Sequence, residues 1–531
     1  MRNREKRLIL PLGVSLAAAL LSGCGADQGG SGGSGGTGDS LVMGMSDDIQ
    51  ATDPASGYDP GSWLLFNNVF QSLLSFPKGG TEPQPEAAKE CHFSDSATKA
   101  YSCTLRPGLQ FSNGNALTSK DVKYSFDRMR NINDDAGPAI MFPMLDKVET
   151  PDDNTVVFDL KYADATFPSK IASGAGSIVD HTVYPADALR EDGKAVGSGP
   201  YRLDSFDKKQ ATFSVNGRYR GTAKVKNSGV TMKFFHGDQA GLKKSLLDGG
   251  VDLAYRGLAA KDVADIEAAT GEDAEKLDVV EGTSAEVQHL VFNMKDPVAG
   301  NLAVRKAMAY LIDRDALIDK VYDNTATSLY SIIPAGISGH NTAFFDTYGA
   351  RPSPGKARST LRAAGLTGKT ELTLWSTPTR YGPATDAELK AIAEQLNASG
   401  LFDADVKSVP FAQYERDIKS GKYGVYVKGW VPDYPDPDNF TQPFFGDGNV
   451  LGNNYTNSTI TGTIIPRTGA QSDRAATTEQ YERLQDIVAR QLPILPVWQA
   501  KQYAVARDNV YGLENCLDAS TVFRFWEISK G

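Results

Sequence analysis

The chain has 531 residues and a formal net charge of −10, from 65 acidic and 55 basic side chains. Nucleic acid and anionic membrane surfaces are poor partners for it, because like charges repel. Its length exceeds what a single hydrophobic core usually organises, so two or three lobes are expected.

The first residues have the pattern of an exported lipoprotein. Four cations in residues 2–7 precede an apolar run that suits a signal-peptide core but is too short to span a bilayer comfortably. Residues 21–24 (Leu-Ser-Gly-Cys) then resemble the lipobox of bacterial lipoproteins. We predict a signal peptide over residues 1–23, a diacylglyceryl group on Cys24 and a flexible Gly/Ser tether over residues 24–40. The alternative is an ordinary signal peptide followed by a chance cysteine.

Two further cysteines, Cys91 and Cys103, flank a predicted hairpin with a Ser-Asp-Ser turn at residues 94–96. A cross-strand disulfide between them suits an oxidising exterior. Two buried thiols are the alternative. Cys516 is then unpaired and is expected to be a small core residue.

Short helices and strands alternate along the rest of the chain. A capping box begins a helix at Thr118. Apolar residues at helical spacing predict one helix over residues 301–322 and another from Thr477 onward. We expect Arg305 and Asp313 on the former as solvated or inter-lobe charges. This is an α/β chain with mixed sheets, built from more than one lobe; strands are predicted over residues 288–293, 371–375 and 423–428.

Five separated segments of the chain contain short sequence motifs. Residues 105–122 begin Leu-Arg-Pro-Gly-Leu-Gln-Phe and lead into the capped helix, and residues 429–437 read Gly-Trp-Val-Pro-Asp-Tyr-Pro-Asp-Pro. In order along the chain, the five resemble family 5 of the extracytoplasmic solute-binding proteins, the dipeptide, oligopeptide and nickel-binding proteins of ABC importers. The other segments are residues 197–201 with 216–219, 292–294 with 304–314, and 356–365.

The resemblance implies a two-lobed clam-shell of class II, with an extra subdomain in the first lobe. The chain then passes twice between the lobes, and we place the crossings near residues 282–288 and 493–503. The first lobe with its subdomain is predicted over residues 41–285 and the second lobe over residues 286–498. Residues 499–531 return to the first lobe. We expect a monomer.

The resemblance also implies where a ligand is held. In peptide-binding relatives, an aspartate shortly after the tryptophan of the Gly-Trp segment receives the ligand's amino group. The matching residue is Asp433, with Trp430 as a pocket wall and Tyr434 beside it. A buried carboxylate suits an ammonium group. The alternative is that Asp433 and Asp436 are exposed turn carboxylates, which are common beside proline.

Residues 374–383 resemble the loop that supplies a carboxylate-binding arginine in dipeptide-binding relatives, although the spacing departs by about one residue. Arg380 is therefore predicted to bind the ligand's carboxylate through its guanidinium fork, with Trp375 nearby. A surface arginine is the alternative. Tyr58, Trp63 and Phe66 lie where relatives line the cleft, but such aromatic residues more often belong to the core.

Together these features favour the binding component of an ABC importer on the outer face of the cell membrane. It would capture short peptides by clam-shell closure and deliver them to a permease and ATPase complex. Oligosaccharides, opines or nickel chelates are alternative ligands, and a lipoprotein sensor or chaperone not coupled to transport is an alternative role. No enzyme motif is present and no cofactor is expected. No metal site is expected, because the histidines at positions 92, 181, 236, 289 and 340 form no metal-spaced pair.

Overall fold

The structure, a computed structural model, describes residues 38–269, 276–378, 380–382 and 384–531. The predicted signal peptide, the lipidation at Cys24 and most of the tether lie outside the described residues. Within the described part of the chain, no helix has the length and apolar character needed to cross a membrane.

Helices and strands alternate along the described residues. The strands are β1 (Leu41–Met45), β2 (Leu74–Ser75), β3 (Gln84–Pro85), β4 (Ala88–Phe93), β5 (Ala100–Leu105), β6 (Leu145–Glu149), β7 (Thr155–Leu160), β8 (Tyr201–Phe206), β9 (Gln210–Val215), β10 (Gly229–Phe234), β11 (Leu253–Tyr255), β12 (Leu277–Phe292), β13 (Ala326–Ser328), β14 (Thr370–Ser376), β15 (Phe402–Ser408), β16 (Val425–Trp430), β17 (Ile494–Arg507), β18 (Val510–Tyr511) and β19 (Ser529–Lys530). The α-helices are α1 (Pro60–Val69), α2 (Ser119–Ile132), α3 (Phe167–Ile171), α4 (Gln239–Leu247), α5 (Ala260–Glu267), α6 (Leu302–Leu311), α7 (Arg314–Tyr322), α8 (Ala343–Tyr348), α9 (Pro354–Ala363), α10 (Thr385–Ala398), α11 (Phe411–Lys419), α12 (Gln442–Phe445), α13 (Ile465–Gly469) and α14 (Thr478–Gln491).

One mixed sheet of eleven strands runs in the order β15-β14-β16-β12-β17-β11-β1-β10-β9-β8, with β13 paired to β17. Parallel pairs form at each side, between β14 and its two neighbours and between β1 and its two neighbours. The long antiparallel strands β12 and β17 join the two sides. The prediction of mixed α/β sheets is confirmed.

A separate antiparallel sheet, β4-β5-β7-β6, carries the two cysteines expected to pair. Cys91 and Cys103 face each other across β4 and β5 and form a disulfide. Cys516 is free and buried. The sheet packs against α2 around an apolar core of its own, which includes Phe126 and Phe158. We call the unit formed by this sheet and α2 the subdomain.

Two further cores lie in different parts of the eleven-stranded sheet. One gathers residues mostly between 285 and 500, including those of α6, α10 and α14. The other gathers β1, β10 and the end of the chain near Phe525. The stretches at which lobe crossing was expected lie in or beside β12 and β17. The residue boundaries of the lobes stay predictions.

The region predicted as one helix over residues 301–322 is two helices. α6 ends before the Asp313 carboxylate, which accepts a hydrogen bond from the main-chain N–H of Ala316 (3.0 Å) and begins α7. Arg305, expected as a solvated or inter-lobe charge, is 5% exposed. Its guanidinium donates to main-chain carbonyls, among them that of Gln491 at the end of α14 (2.9 Å). The prediction of a single helix was wrong, because the Asp313 carboxylate caps a second one. The expectation of a solvated or inter-lobe charge at Arg305 was also wrong, because its guanidinium pairs with buried carbonyl groups.

A buried glutamine bridges an interruption in the pairing of β12 with β17, where the register shifts between Thr283 and Val287. Gln499 is 4% exposed, and its amide group donates to the carbonyls of Ser284 (2.7 Å) and Ala335 (3.0 Å). Its side-chain oxygen accepts from the N–H of Ala335 (2.8 Å). One side chain therefore satisfies three main-chain groups beside the irregular stretch of β12.

Replacing Gln499 by alanine is expected to destabilise the fold, because it leaves these main-chain groups without their partner. An unpaired buried polar group costs about 1–3 kcal/mol, so we expect the free energy of unfolding to fall by about 2–5 kcal/mol. Guanidinium denaturation measures this change. Gln50→Ala, at an exposed glutamine, serves as the control and should stay within about 0.5 kcal/mol. Equal stability of the two variants would contradict this role for Gln499.

Candidate functional site

The predicted ligand residues Trp430 and Asp433 lie where β16 ends. Trp430 pairs with Val287 of β12, and the chain then leads into a 3₁₀ turn, Pro437–Phe440. The side chain of Asn439 in this turn holds both residues. Its oxygen accepts from the indole N–H of Trp430 (2.9 Å) and the main-chain N–H of Asp433 (3.1 Å), and its nitrogen donates to Asp433 Oδ2 (3.3 Å). Asn439 lies two residues beyond the recognised segment and was not predicted.

Asp433 also contacts a residue from near the start of the described chain. The hydroxyl of Tyr58 donates to Asp433 Oδ1 across 375 positions of sequence. The Tyr58 ring packs against Trp63 at 5.7 Å between centroids. Burial raises the pKa of Asp433, although the hydrogen bonds from Tyr58 and Asn439 oppose this shift. Asp433 is thus a half-buried carboxylate that the first and second predicted lobes both contact.

Tyr434, predicted beside the ligand, packs into the core of the subdomain and is 5% exposed. Its hydroxyl donates to Asp438 Oδ2 (3.4 Å), and the Lys170 ammonium lies 5.8 Å from its ring centroid. The main-chain N–H of Ala165, between β7 and α3, donates to the carbonyl of Gly469 in α13 (2.7 Å), a second contact between the two predicted lobes. The segment after β16 therefore contacts the subdomain directly. A contact between Tyr434 and a ligand stays a prediction.

Two more carboxylates, Asp436 and Asp438, follow Asp433 in the chain and have different environments. Asp436 accepts two hydrogen bonds from the Arg474 guanidinium (2.8 and 2.7 Å). Asp438 forms no ion pair with any residue that the structure describes. Its burial, together with the negative charges of Asp436 and Asp164, raises the pKa of Asp438 to about 6. The charge of Asp438 is consequently expected to change near pH 6.

A cavity of about 190 Å³ lies beside Trp430 in the second predicted lobe. An apolar cavity of about 150 Å³ accommodates benzene, so this one has room for a ring-sized group. Arg380 and Phe411 both line the cavity, and the Arg380 guanidinium lies 5.1 Å from the centroid of the Phe411 ring. Arg380 forms no ion pair with the described residues. Aromatic and aliphatic walls come from Tyr381, Phe411, Trp430, Phe444, Val450 and Leu451, and polar groups come from His289, Arg380, Glu415 and Lys428.

Trp375 does not line this cavity. Its ring stacks on Tyr423 (centroids 4.2 Å apart, planes at 18°), with the ammonium groups of Lys407 and Lys422 within about 6 Å. The structure therefore brings Trp430, Asp433 and Arg380 to one region and holds Trp375 elsewhere by stacking. A role of Trp375 in ligand binding stays a prediction.

The sequence profile described as "Bacterial extracellular solute-binding proteins, family 5 Middle" matches residues 82–452. The chain belongs to solute-binding protein family 5. This family 5 protein is 27% identical to the dipeptide-binding protein of Pseudomonas aeruginosa, over 96% of this chain and 97% of the relative. The predicted family membership is confirmed, and so is the expectation of an extracytoplasmic solute-binding protein.

Solved structures confirm the predicted two-lobed binding-protein fold. HbpA2 from Haemophilus parasuis matches with a TM-score of 0.81 at 21% identity, covering 93% of this chain and 100% of that one. The periplasmic binding protein DppA from Helicobacter pylori, in complex with the peptide STSA, matches with a TM-score of 0.74 at 22% identity. That match covers 93% of this family 5 chain and 98% of DppA.

The raised pKa of Asp438 predicts a pH-dependent stability. The ordinary pKa of this carboxyl is 3.8, against about 6 in the fold, so the folded state holds its proton over a range in which the unfolded chain releases it. The protonated Asp438 carboxyl therefore stabilises the folded state. This contribution to the free energy of unfolding is fully present below about pH 4 and is lost as the pH rises through about 6, a change on the order of 3 kcal/mol. Asp438→Asn should therefore flatten the decline of the unfolding free energy between pH 4 and pH 7.

Guanidinium denaturation at several pH values tests this expectation. Asp447→Asn, at an exposed aspartate of the same lobe, is the matched control and should keep the pH profile of the natural chain. If Asp438→Asn and the natural chain lose stability with the same pH slope, the raised pKa of Asp438 is wrong.

Proposed function

We propose that this protein captures short peptides for an ABC importer by closure of its two lobes and delivers them to a permease and ATPase complex. The observation that carries the proposal is Asp433, a carboxylate held by Asn439 on one side and contacted by Tyr58 from the other predicted lobe. A peptide ammonium placed there would form a charge-assisted hydrogen bond with Asp433, and it would gain a further contact with Tyr58 only when the lobes are together.

We assign binding of the peptide's carboxylate end to Arg380. Its guanidinium lines the cavity beside Trp430 and has no acidic partner among the residues described. A ligand carboxylate would complete a bidentate pair with it. Trp430 lies between the two ends, because its indole bonds Asn439 next to Asp433 and also lines the cavity. Relatives named for dipeptides and a neighbour bound to the peptide STSA support a peptide as the ligand.

The remaining predictions belong to the same proposal. A diacylglyceryl group on Cys24 would hold the protein at the outer face of the membrane, since two acyl chains anchor stably where one does not. The protein would act as a monomeric receptor and not as an enzyme. The support is the lipobox-like pattern of residues 21–24 and the solute-binding role of the family. We also retain the lobe boundaries, with the first lobe over residues 41–285, the second over 286–498 and the return over 499–531.

Titration calorimetry with Ala-Ala, Ala-Ala-Ala and their N-acetylated forms tests the amine site. Asp433→Asn should weaken binding of the free-amine peptides about 30- to 100-fold, because a charged hydrogen bond is lost. N-acetylation should weaken binding to the natural protein by a similar factor and should weaken binding to Asp433→Asn little further. Asp447→Asn is the control and should bind as the natural protein does.

Oligosaccharides, an opine and a nickel–histidine chelate are titrated in parallel. Binding of one of these without any peptide would keep the receptor role and exclude the peptide assignment. Peptide binding that Asp433→Asn leaves unchanged would exclude Asp433 as the amine site.

A further inference from the structure

His289 is a buried imidazole whose ring nitrogens have no hydrogen-bond partner among the residues that the structure describes. It lies on β12, is 1% exposed and lines the cavity beside Trp430, with the Phe444 ring edge-on at 5.7 Å. Neither ring nitrogen forms a hydrogen bond with any residue in the described part of the chain. Burial lowers the pKa of His289 to about 3, so the ring is neutral and offers one N–H donor and one acceptor.

Two other polar groups of the cavity, Lys428 and Arg380, have partners either within the protein or in the proposed ligand. Lys428, which lies opposite His289 on β16, donates to both carboxylate oxygens of Glu415 (3.0 and 3.3 Å) and to the Val450 carbonyl (3.0 Å). Arg380 is available to a ligand carboxylate under the proposed function. His289 is therefore the group whose missing partner has to come from the remainder of the ligand, because buried polar groups are nearly always paired.

We propose that the cavity beside Trp430 takes a ligand side chain that ends in a neutral hydrogen-bonding group, a phenol or a primary amide, and that His289 pairs with this group. This inference rests on the proposed peptide-binding function. The volume of about 190 Å³ and the aromatic walls suit a ring-sized group.

The chemistry of a neutral imidazole selects between possible side chains. A phenol hydroxyl and a primary amide can each donate and accept, so either one can engage a donor or an acceptor nitrogen. A carboxylate only accepts and an ammonium only donates, and each would also bring a charge into the cavity. A plain phenyl or thioether group would leave His289 unpaired. His289 is thus the specificity-determining residue for the side chain in this cavity.

Calorimetry with matched peptides tests the assignment. Tyr-Ala and Phe-Ala, Ala-Tyr and Ala-Phe, and the same positions with Gln and Met form pairs that differ in the hydrogen-bonding group. We expect the purified natural protein to bind the polar member at least about fivefold more tightly at one of the two positions. His289→Leu should bring this ratio close to one, whereas His289→Gln, which keeps a donor and an acceptor, should retain a preference.

Val450→Ala is the matched control, since it alters an apolar part of the same cavity. It should change the affinity for both members of a pair equally. Thermal unfolding of His289→Leu should show no loss of stability, because the change removes an unpaired polar group from the interior. In protein labelled with ¹⁵N-histidine, the resonances missing from His289→Gln belong to His289. The ¹⁵N resonances of this ring should shift further on addition of the tyrosine peptide than on addition of the phenylalanine peptide, because only the tyrosine hydroxyl can form a hydrogen bond with a ring nitrogen.

The outcomes separate this inference from the function on which it rests. If no peptide binds the natural protein, the proposed function fails. If peptides bind but His289→Leu keeps the natural ratio, or if the natural protein prefers acidic, basic or purely apolar side chains, the role of His289 alone is wrong.

Discussion

The pairing of β12 with β17 is the constraint on which the rest of the structure depends. These antiparallel strands connect the two sides of the eleven-stranded sheet, and their register determines which side chains of β12 and β17 face each other. Beyond the shift that Gln499 bridges, β12 sets Val287 opposite Trp430 and His289 opposite Lys428. A slip of one residue would move all of these side chains to the other face of the sheet. The geometry of the proposed ligand site and of the cavity therefore depends on the register of this strand pair.

The alternation of side chains along β12 explains why adjacent residues have opposite environments. Gln288 points into a buried network in which its amide, the Tyr322 hydroxyl and the Trp498 indole all donate to the Glu388 carboxylate. Burial raises the pKa of Glu388 in spite of these donors. His289, one position along, faces the cavity beside Trp430 and has no donor or acceptor from the described residues. The side-chain nitrogen of Gln288, on one face of the strand, is thus paired within the protein, whereas His289, on the other face, is the residue proposed to pair with a ligand.

Local sequence patterns predicted the helices that depend on neighbouring residues, such as a capping residue or a regularly spaced apolar stripe. The capping box at Thr118 and the apolar stripe after Thr477 correspond to α2 and α14. The break before Asp313 was missed because the apolar stripe continues across it. Trp430 and Asp433 could be placed by resemblance, whereas Tyr58 reaches Asp433 from 375 positions away. A contact of that separation depends on the packing of the whole chain, so no local pattern indicates it.

Closure in this protein cannot be explained by the contacts between the lobes alone. The segment after β16 already packs on the subdomain through Tyr434, and the main-chain N–H of Ala165 in the first predicted lobe donates to the Gly469 carbonyl in the second. A ligand shifts the equilibrium only by the contacts that it makes better in the closed state than in the open one. A ligand held at Asp433, as proposed, would meet that condition by also contacting Tyr58, which approaches from the other predicted lobe. Affinity would then come from both lobes, whereas selectivity would come from the cavity of the second lobe, which does not need closure to form.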